Sequence, residues 1–373
     1  MKLFRPLWTH FKPLAEEKSV DKIKHLPVLA KEITQILEPR DGQYFIDMTF
    51  GGGGHTKYLL STHKKITIFA LDRDPAAFQR AIVLAKDVDA KENGQKVIPL
   101  LGRFSELSTL MGKLKVPKHF VDGAIMDLGA SSFQFEEGPR GFSLRANGPL
   151  DMRMDADRFP NMPTAADVVN TLGAEELAKI FKTYGEEKYA MKVAQTIIDS
   201  RFMMKSLRTT QELATLVANV LGGERYDQLG RSAHPATKVF QALRIFVNNE
   251  MNEISHGIDT VSRYLKRSEH PQTDDDNDLV TEERAKGGLL GVISFHSLED
   301  KIVKGKFVGL KPTKAEKNTI AYERPDLEPV IERERKTWKF YQTRIIYPSE
   351  NEVNLNPRSR SAKLRFGVRL NDA

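Results

Sequence analysis

Short apolar runs alternate with helically spaced stretches from residue 44 onward. Residues 44–48 (YFIDM), 66–71 (ITIFAL), 97–101 (VIPLL) and 121–128 (VDGAIMDL) are nearly continuous in apolar residues, the pattern of strands buried on both faces. Residues 54–62 and 75–86 supply helices between them. Strand and helix in alternation predict a parallel sheet wound by right-handed crossovers. The alternation then stops: apolar spacing over 174–181, 189–198 and 211–221 predicts an inserted helical subdomain within 164–220. A helix through 237–265 leads to a fifth buried strand at 289–295 (LLGVISF). Near the C-terminus, 341–347 and 362–370 alternate and are expected to pair antiparallel at one sheet edge.

Composition narrows the chemistry. The 373 residues include no Cys, which excludes a disulfide framework, a thiolate metal site and a Cys nucleophile. Methylation of a pyrimidine at C5 through an enzyme thiolate is excluded with them, as is the Cys-ligated zinc of base deaminases. No run of about 18 apolar residues occurs, so no membrane span is expected. Residues 269–286 hold an acidic run (Glu269, Asp274, Asp275, Asp276, Asp278, Glu282, Glu283) that reads as a solvated loop. The formal charge is +7, and residues 301–373 hold 17 Lys+Arg against 9 Asp+Glu. The positive excess therefore sits in the tail, where polyanion binding and an ordinary soluble surface are both open. Lys2, Arg5 and Lys12 precede the first acid, Glu16, among bulky apolar residues. An organelle import segment and a frayed terminus both fit that stretch.

Residues 47–56 (DMTFGGGGHT) place Gly51 to Gly54 directly after the first strand and before a helix. Glycine permits positive φ and close backbone approach, and the N–H groups of a helix start favour a polar or anionic ligand group. The second strand ends at Leu71-Asp72-Arg73-Asp74, about twenty residues on, where a carboxylate can accept both ribose hydroxyls of an adenosine. No Lys-Ser/Thr pair follows the glycines, so this is no P-loop. The dinucleotide fingerprint fails because Thr56 stands where its third glycine would fall. Glycines with a ribose carboxylate and no phosphate-gripping Lys suit a nucleoside cofactor without phosphate, with S-adenosylmethionine foremost. No metal site is expected.

The fourth strand delivers Asp127, Ser131 and Ser132 to the carboxyl edge of the sheet, where open α/β sheets bind ligands. Asp127 is an acceptor there, or a turn cap. The following polar stretch carries Arg140, Arg145 and Arg153, which either meet RNA phosphates or pair with Asp151 and Asp155 to order the loop. His296, after the fifth strand, lines the site or is a satisfied structural histidine.

Taken together these blocks resemble the S-adenosylmethionine-dependent small-subunit ribosomal RNA cytosine-N4 methyltransferases, the RsmH (MraW) family and its mitochondrial relatives. The resemblance runs from residues 25–28 (HLPV) to 360–365 (RSAKLR) and rests on DMTFGGGGHT, LDRDP (71–75), MDLGASS (126–132), RGFSLRANGPLDMRMD (140–155), TYGEEKYA (183–190), FQALRIFVNNE (240–250) and ISFHSLEDKIVK (293–304), in order. It implies a Rossmann-like class I methyltransferase sheet, α/β in class, with an inserted helical substrate-recognition subdomain. The parts would be an N-terminal extension at 1–24, methyltransferase segments at 25–140 and 236–373, and the insert at 141–235. It further implies cofactor contacts from Gly53, Gly54, His55, Asp72, Phe104, Asp127 and Gln134, with Phe104 beside the adenine. Asp127, Ser131 and Ser132 would serve the chemistry, and Arg140, Arg145, Arg153, Lys363 and Arg365 would meet the RNA of an assembling small ribosomal subunit. Residues 163–170 (PTAADVVN) look closer to the mitochondrial members and favour the import reading, with a matrix location; a bacterial member would be cytoplasmic. A non-catalytic ribosome assembly factor and an amino-methyltransferase with another substrate remain the competing classes.

Overall fold

A computed structural model describes residues 27–203, 206–222, 225–226, 232–268, 287–309, 337–341 and 345–371. The N-terminal extension, the acidic run and the early part of the basic tail lie outside the described residues. The chain divides into two compact units, one formed by Met1–Gly129 with Asn252–Ala373 and the other by Ala130–Met251.

Among the described residues the strands in chain order are β1 (Tyr44–Asp47), β2 (Thr67–Asp72), β3 (Lys96–Leu101), β4 (Gly123–Asp127), β5 (Arg225–Tyr226), β6 (Ser232–Ala233), β7 (Leu289–Ser294), β8 (Trp338–Phe340) and β9 (Lys363–Arg369). The first unit holds a seven-stranded sheet in the order β3-β2-β1-β4-β7-β9-β8. Its first five members are mutually parallel, while β9 runs antiparallel to both β7 and β8. The chain starts at β1 in mid-sheet, winds outward through β2 and β3, and returns to β4 on the other side of β1. This reversal opens a crevice at the carboxyl ends of β1 and β4. The interior of β2, from Ile68 to Leu71, is at most 1% exposed, as a strand covered on both faces must be.

Helices α1 (Ala30–Leu37), α2 (Gly54–Leu60), α3 (Pro75–Asp89) and α4 (Leu107–Lys113) belong to this unit. Helix α3 starts where the LDRDP motif dictates. Asp74 accepts the N–H of Ala76 at 2.9 Å and Pro75 fills the first turn, so Asp74 caps the helix and Asp72 is left for the crevice. Ala77, Phe78, Ala81, Ile82 and Ala85 form its buried stripe at three- and four-residue spacing.

The second unit is helical. It contains α5 (Ser132–Glu136), α6 (Ala165–Thr171), α7 (Ala174–Gly185), α8 (Ala190–Met203), α9 (Thr210–Leu221) and α10 (Thr237–Val247), with β5 and β6 as a short antiparallel pair. Leu177, Phe181, Val193, Ile197, Leu213, Val217, Val239 and Leu243 form its core.

Two expectations from periodicity are corrected. The helix expected through 237–265 is two, α10 and α11 (Glu250–Ser262). Asn248 is fully buried; its amide donates to Met152 O at 2.7 Å and Arg244 O at 2.8 Å and accepts from Met154 N at 2.8 Å. Asn249 then takes a left-handed φ of 51°, which ends the helix. The edge strand expected at 341–347 falls earlier, at β8, because Trp338 is buried with its ring 5.4 Å from that of Phe307. Within 345–347, only Ile346 makes a bridge, to Leu364. Phe307 belongs to α12 (Ser297–Val308). No helix among the described residues is long and apolar enough to cross a membrane.

Candidate active site

Strand β1 ends on Asp47, which is 1% exposed. Burial pushes its carboxyl up, against the charge of His55 and the hydrogen bonds from Thr56 and Thr49. Those bonds are short: Thr56 Oγ1 donates to Asp47 Oδ2 at 2.7 Å, and Thr49 N donates to Oδ1 at 3.1 Å. Asp47 therefore knots the start of the glycine loop to the first turn of α2. Gly53 closes that loop with φ +77°, and a Cβ there would lie 2.7 Å from the Phe50 ring. Only glycine satisfies both constraints.

Thr49 also reaches β4, its hydroxyl accepting from Asp127 N at 2.7 Å. The Asp127 side chain is 27% exposed, and its Oδ2 lies 3.4 Å from Nε2 of His55, whose side chain is 6% exposed. The approach is too long for a full hydrogen bond, and Asp127 Oδ1 has no hydrogen-bond partner among the described residues. Burial alone would push the His55 imidazolium down. Its nearness to Asp127, with the charges of Asp127, Asp47 and Glu352, outweighs that and carries it above the ordinary histidine value.

Asp72 closes the crevice on the β2 side. Gly51 N donates to its Oδ2 at 2.7 Å and Asp74 N to its Oδ1 at 2.9 Å. Burial nevertheless pushes its carboxyl up to about 7. Each oxygen holds one backbone N–H and retains capacity for another donor, the arrangement a vicinal diol needs. Phe104 follows β3 and is half-buried. Its loop is clamped by Glu253 on α11, which accepts Ser105 N at 3.0 Å and Ser105 Oγ at 2.8 Å. Gly257, one turn on, carries no Cβ; one would lie 2.9 Å from Phe104 Cβ and 3.0 Å from Met126 Cε. Helix α11 thus backs the aromatic ring directly.

The first unit therefore brings together Gly53, Gly54, His55, Asp72, Phe104 and Asp127. Ser131, Ser132 and Gln134 belong to the second unit. There Gln134 is 4% exposed and its Oε1 accepts Ser131 N at 3.0 Å, a cap on α5. Ser131 Oγ has no hydrogen-bond partner among the described residues.

Several arginines expected at RNA are engaged within the fold. Arg140 donates to Arg153 O and Met154 O, both at 3.1 Å. Arg153 makes a bidentate pair with Asp151 at 2.9 and 2.8 Å, the loop-ordering role left open above; Asp155 pairs with Arg158 instead. Arg365 is 8% exposed and grips Asp300 at 2.6 and 3.1 Å. A guanidinium so buried and paired ties β9 to α12, an engagement that competes with its expected place on RNA. Asp300 feels burial, which raises its carboxyl, but Arg365 and Lys363 together hold it below the usual range. Lys363 keeps 36% side-chain exposure and Arg145 is exposed. His296 stands at the start of α12 with Nε2 2.9 Å from Glu299 Oε1 and Nδ1 3.4 Å from Glu299 N, local contacts that fit the structural alternative.

Asp47, Thr49, Thr56 and Glu253 were not singled out from sequence. The first three lie inside DMTFGGGGHT and its local turn logic reaches them; Glu253 is 148 residues from Ser105 and carries no local signal.

The model of the MraW methylase family matches residues 22–270 and 278–369. The chain belongs to that family. Relatives within reach include the 12S rRNA N(4)-cytidine methyltransferase METTL15 of Homo sapiens, 41% identical over 93% of this chain and 83% of that protein. The ribosomal RNA small subunit methyltransferase H of Hyphomonas neptunium is 37% identical, over 93% of this chain and 89% of that protein. A Culex quinquefasciatus protein named putative receptor-type tyrosine-protein phosphatase mosPTP-1 is 44% identical over 94% of this chain, which spans only 23% of its length. The sheet of this chain has the Rossmann-like methyltransferase order, and the helical unit is inserted in sequence between β4 and β7.

Proposed function

We propose that this MraW-family chain transfers a methyl group from S-adenosylmethionine to the N4 amine of a cytidine in small-subunit ribosomal RNA, in keeping with the activities named for its relatives. The single observation that carries the reading is Asp127 at the carboxyl end of β4, its side chain 27% exposed, beside a glycine loop and a diol-ready carboxylate. The residues present fit the cofactor: Gly53 excludes a side chain where a ligand must approach the backbone, and Asp72 keeps acceptor capacity on both oxygens. Gly53, Gly54 and the backbone of His55 would hold its amino-acid end, Asp72 its ribose and Phe104 its adenine. When bound, it supplies an electrophilic methyl group whose C–S bonding electrons stay on sulfur.

The target amine is a weak nucleophile because its lone pair is delocalised into the ring. An acceptor on one N–H, fixed in a site shielded from water, raises its reactivity. The Asp127 carboxylate is that acceptor. No covalent enzyme intermediate is needed, consistent with a chain that has no Cys. The base must leave its stack to reach such a crevice. Arg145 and Lys363 are the proposed contacts to flanking RNA; the orienting roles of Ser131 and Ser132, and the cofactor role of Gln134, rest on sequence resemblance. A mitochondrial place of action is proposed from the basic, acid-poor first fifteen residues and from residues 163–170.

The test is to map N4-methylcytidine in organelle small-subunit RNA with and without this protein. The modification should vanish at one position and return with the wild-type chain but not with Asp127→Asn. An unchanged map refutes the reading, and calorimetry showing no cofactor binding would favour an assembly factor without catalysis.

A further inference from the structure

A backbone contact to a cofactor does not require an imidazole at position 55. Yet His55 is buried among carboxylates from three elements: Asp47 at the end of β1, Asp127 at the end of β4, and Glu352 on the helix Glu350–Leu355. The two oxygens of Asp127 are not equivalent. Oδ2 faces His55 Nε2 at 3.4 Å, whereas Oδ1 is buried without a hydrogen-bond partner among the described residues. The backbone of Asp127 is already fixed by the hydroxyl of Thr49, so rotation about the side chain is the remaining freedom. A carboxylate rotates readily, and an unanchored one would present either oxygen, or both, to a substrate.

We propose that His55 is a positioning residue for methyl transfer: its ring, 3.4 Å from Oδ2 of Asp127, sets the rotation of that carboxylate so that its exposed edge meets one N–H of the target amine. This rests on the function proposed above. The displaced N4 proton has the Asp127 carboxylate as its first acceptor and bulk water as its last, as the new N–CH3 bond forms. Asp47 completes the device from behind. It is pinned by Thr56 and Thr49 and adds a second negative charge that favours the imidazolium beside Asp127. The sequence singles out His55 only as part of the glycine loop, and the partnership with Asp127 emerges from the pairing of β1 with β4.

The experiment uses the full chain. Ring-nitrogen correlation spectra of histidine-labelled enzyme, without cofactor or RNA, follow the titration of His55 among nine histidines, with His55→Gln assigning the signal. Asp127→Asn should lower its midpoint by about one pH unit or more, since each unit reflects about 1.4 kcal/mol of interaction. His55→Ala should lower kcat about 10- to 100-fold, the scale of a misplaced reacting group. Its Kd for S-adenosylhomocysteine by calorimetry should stay within about threefold of wild type. His55→Gln, which retains an N–H donor, should recover part of the rate. An unmoved His55 titration in Asp127→Asn, or a loss in His55→Ala confined to cofactor Kd, overturns the role of His55. A wild-type enzyme that binds cofactor yet methylates no RNA sinks the proposed function instead.

Discussion

Cofactor affinity should depend on pH through Asp72. Burial raises its carboxyl from 3.8 to about 7, a gap worth about 4 kcal/mol at 1.36 kcal/mol per pH unit. The folded chain without ligand thus binds more protons than the unfolded chain between those limits. This group's contribution to stability is fully present below 3.8 and is lost as pH rises through about 7. Ribose hydroxyls donating to both oxygens favour the ionised form, so ligand binding reverses the shift and releases a proton below about pH 7. The Kd for S-adenosylhomocysteine should then weaken about tenfold for each unit of acidification below about 7 and level off above it. Calorimetry in buffers of differing ionisation enthalpy should show release of about half a proton at pH 7. Asp72→Asn should bind more weakly and lose this dependence. A Kd flat with pH in the wild type, or an equal slope in Asp72→Asn, would remove Asp72 from the ribose site.

Three further outcomes follow from the packing. Gly53→Ala, strained at φ +77° against the Phe50 ring, should cost about 1–3 kcal/mol in ligand-free unfolding and weaken cofactor binding; an unchanged melting midpoint would contradict the assigned loop geometry. Glu253→Gln removes one of two acceptors from Ser105 and should raise cofactor Kd by about tenfold, the equivalent of one hydrogen bond, and an unaltered Kd would show that the Phe104 loop holds itself. Arg365→Met leaves the largely buried Asp300 carboxylate with Lys363 at 3.5 Å as its ion-pair partner among the described residues, so urea unfolding should register a loss of about 3 kcal/mol. The salt dependence of RNA binding should stay as it was in that variant; a flatter slope with unchanged stability would return Arg365 to the RNA.

Much of the sheet is legible along the chain because burial on both faces writes a local mark. The runs at 44–48, 66–71, 97–101 and 289–295 coincide closely with β1, β2, β3 and β7. The α3 cap is equally local, since Asp74 and Pro75 act within one turn. Edges are less legible. Strand β8 is three residues long and owes its place to Trp338 packing on Phe307, 31 positions away. The break at Asn248 depends on carbonyl and amide groups of Met152 and Met154, which no helical period can reveal.

The same division holds in the site. Sequence by itself determined the glycine loop, the carboxylate at the end of β2, the acid at the end of β4 and, through the order of its motifs, the MraW family. These are short-range features: a turn's φ, a strand's end, a helix's cap. Tertiary structure decided the partnerships. It set His55 against Asp127, gave Ser105 to Glu253, and paired Arg365 with Asp300. The physical reason is that a buried charge is defined by what surrounds it. Strand order, not spacing along the chain, chooses those neighbours.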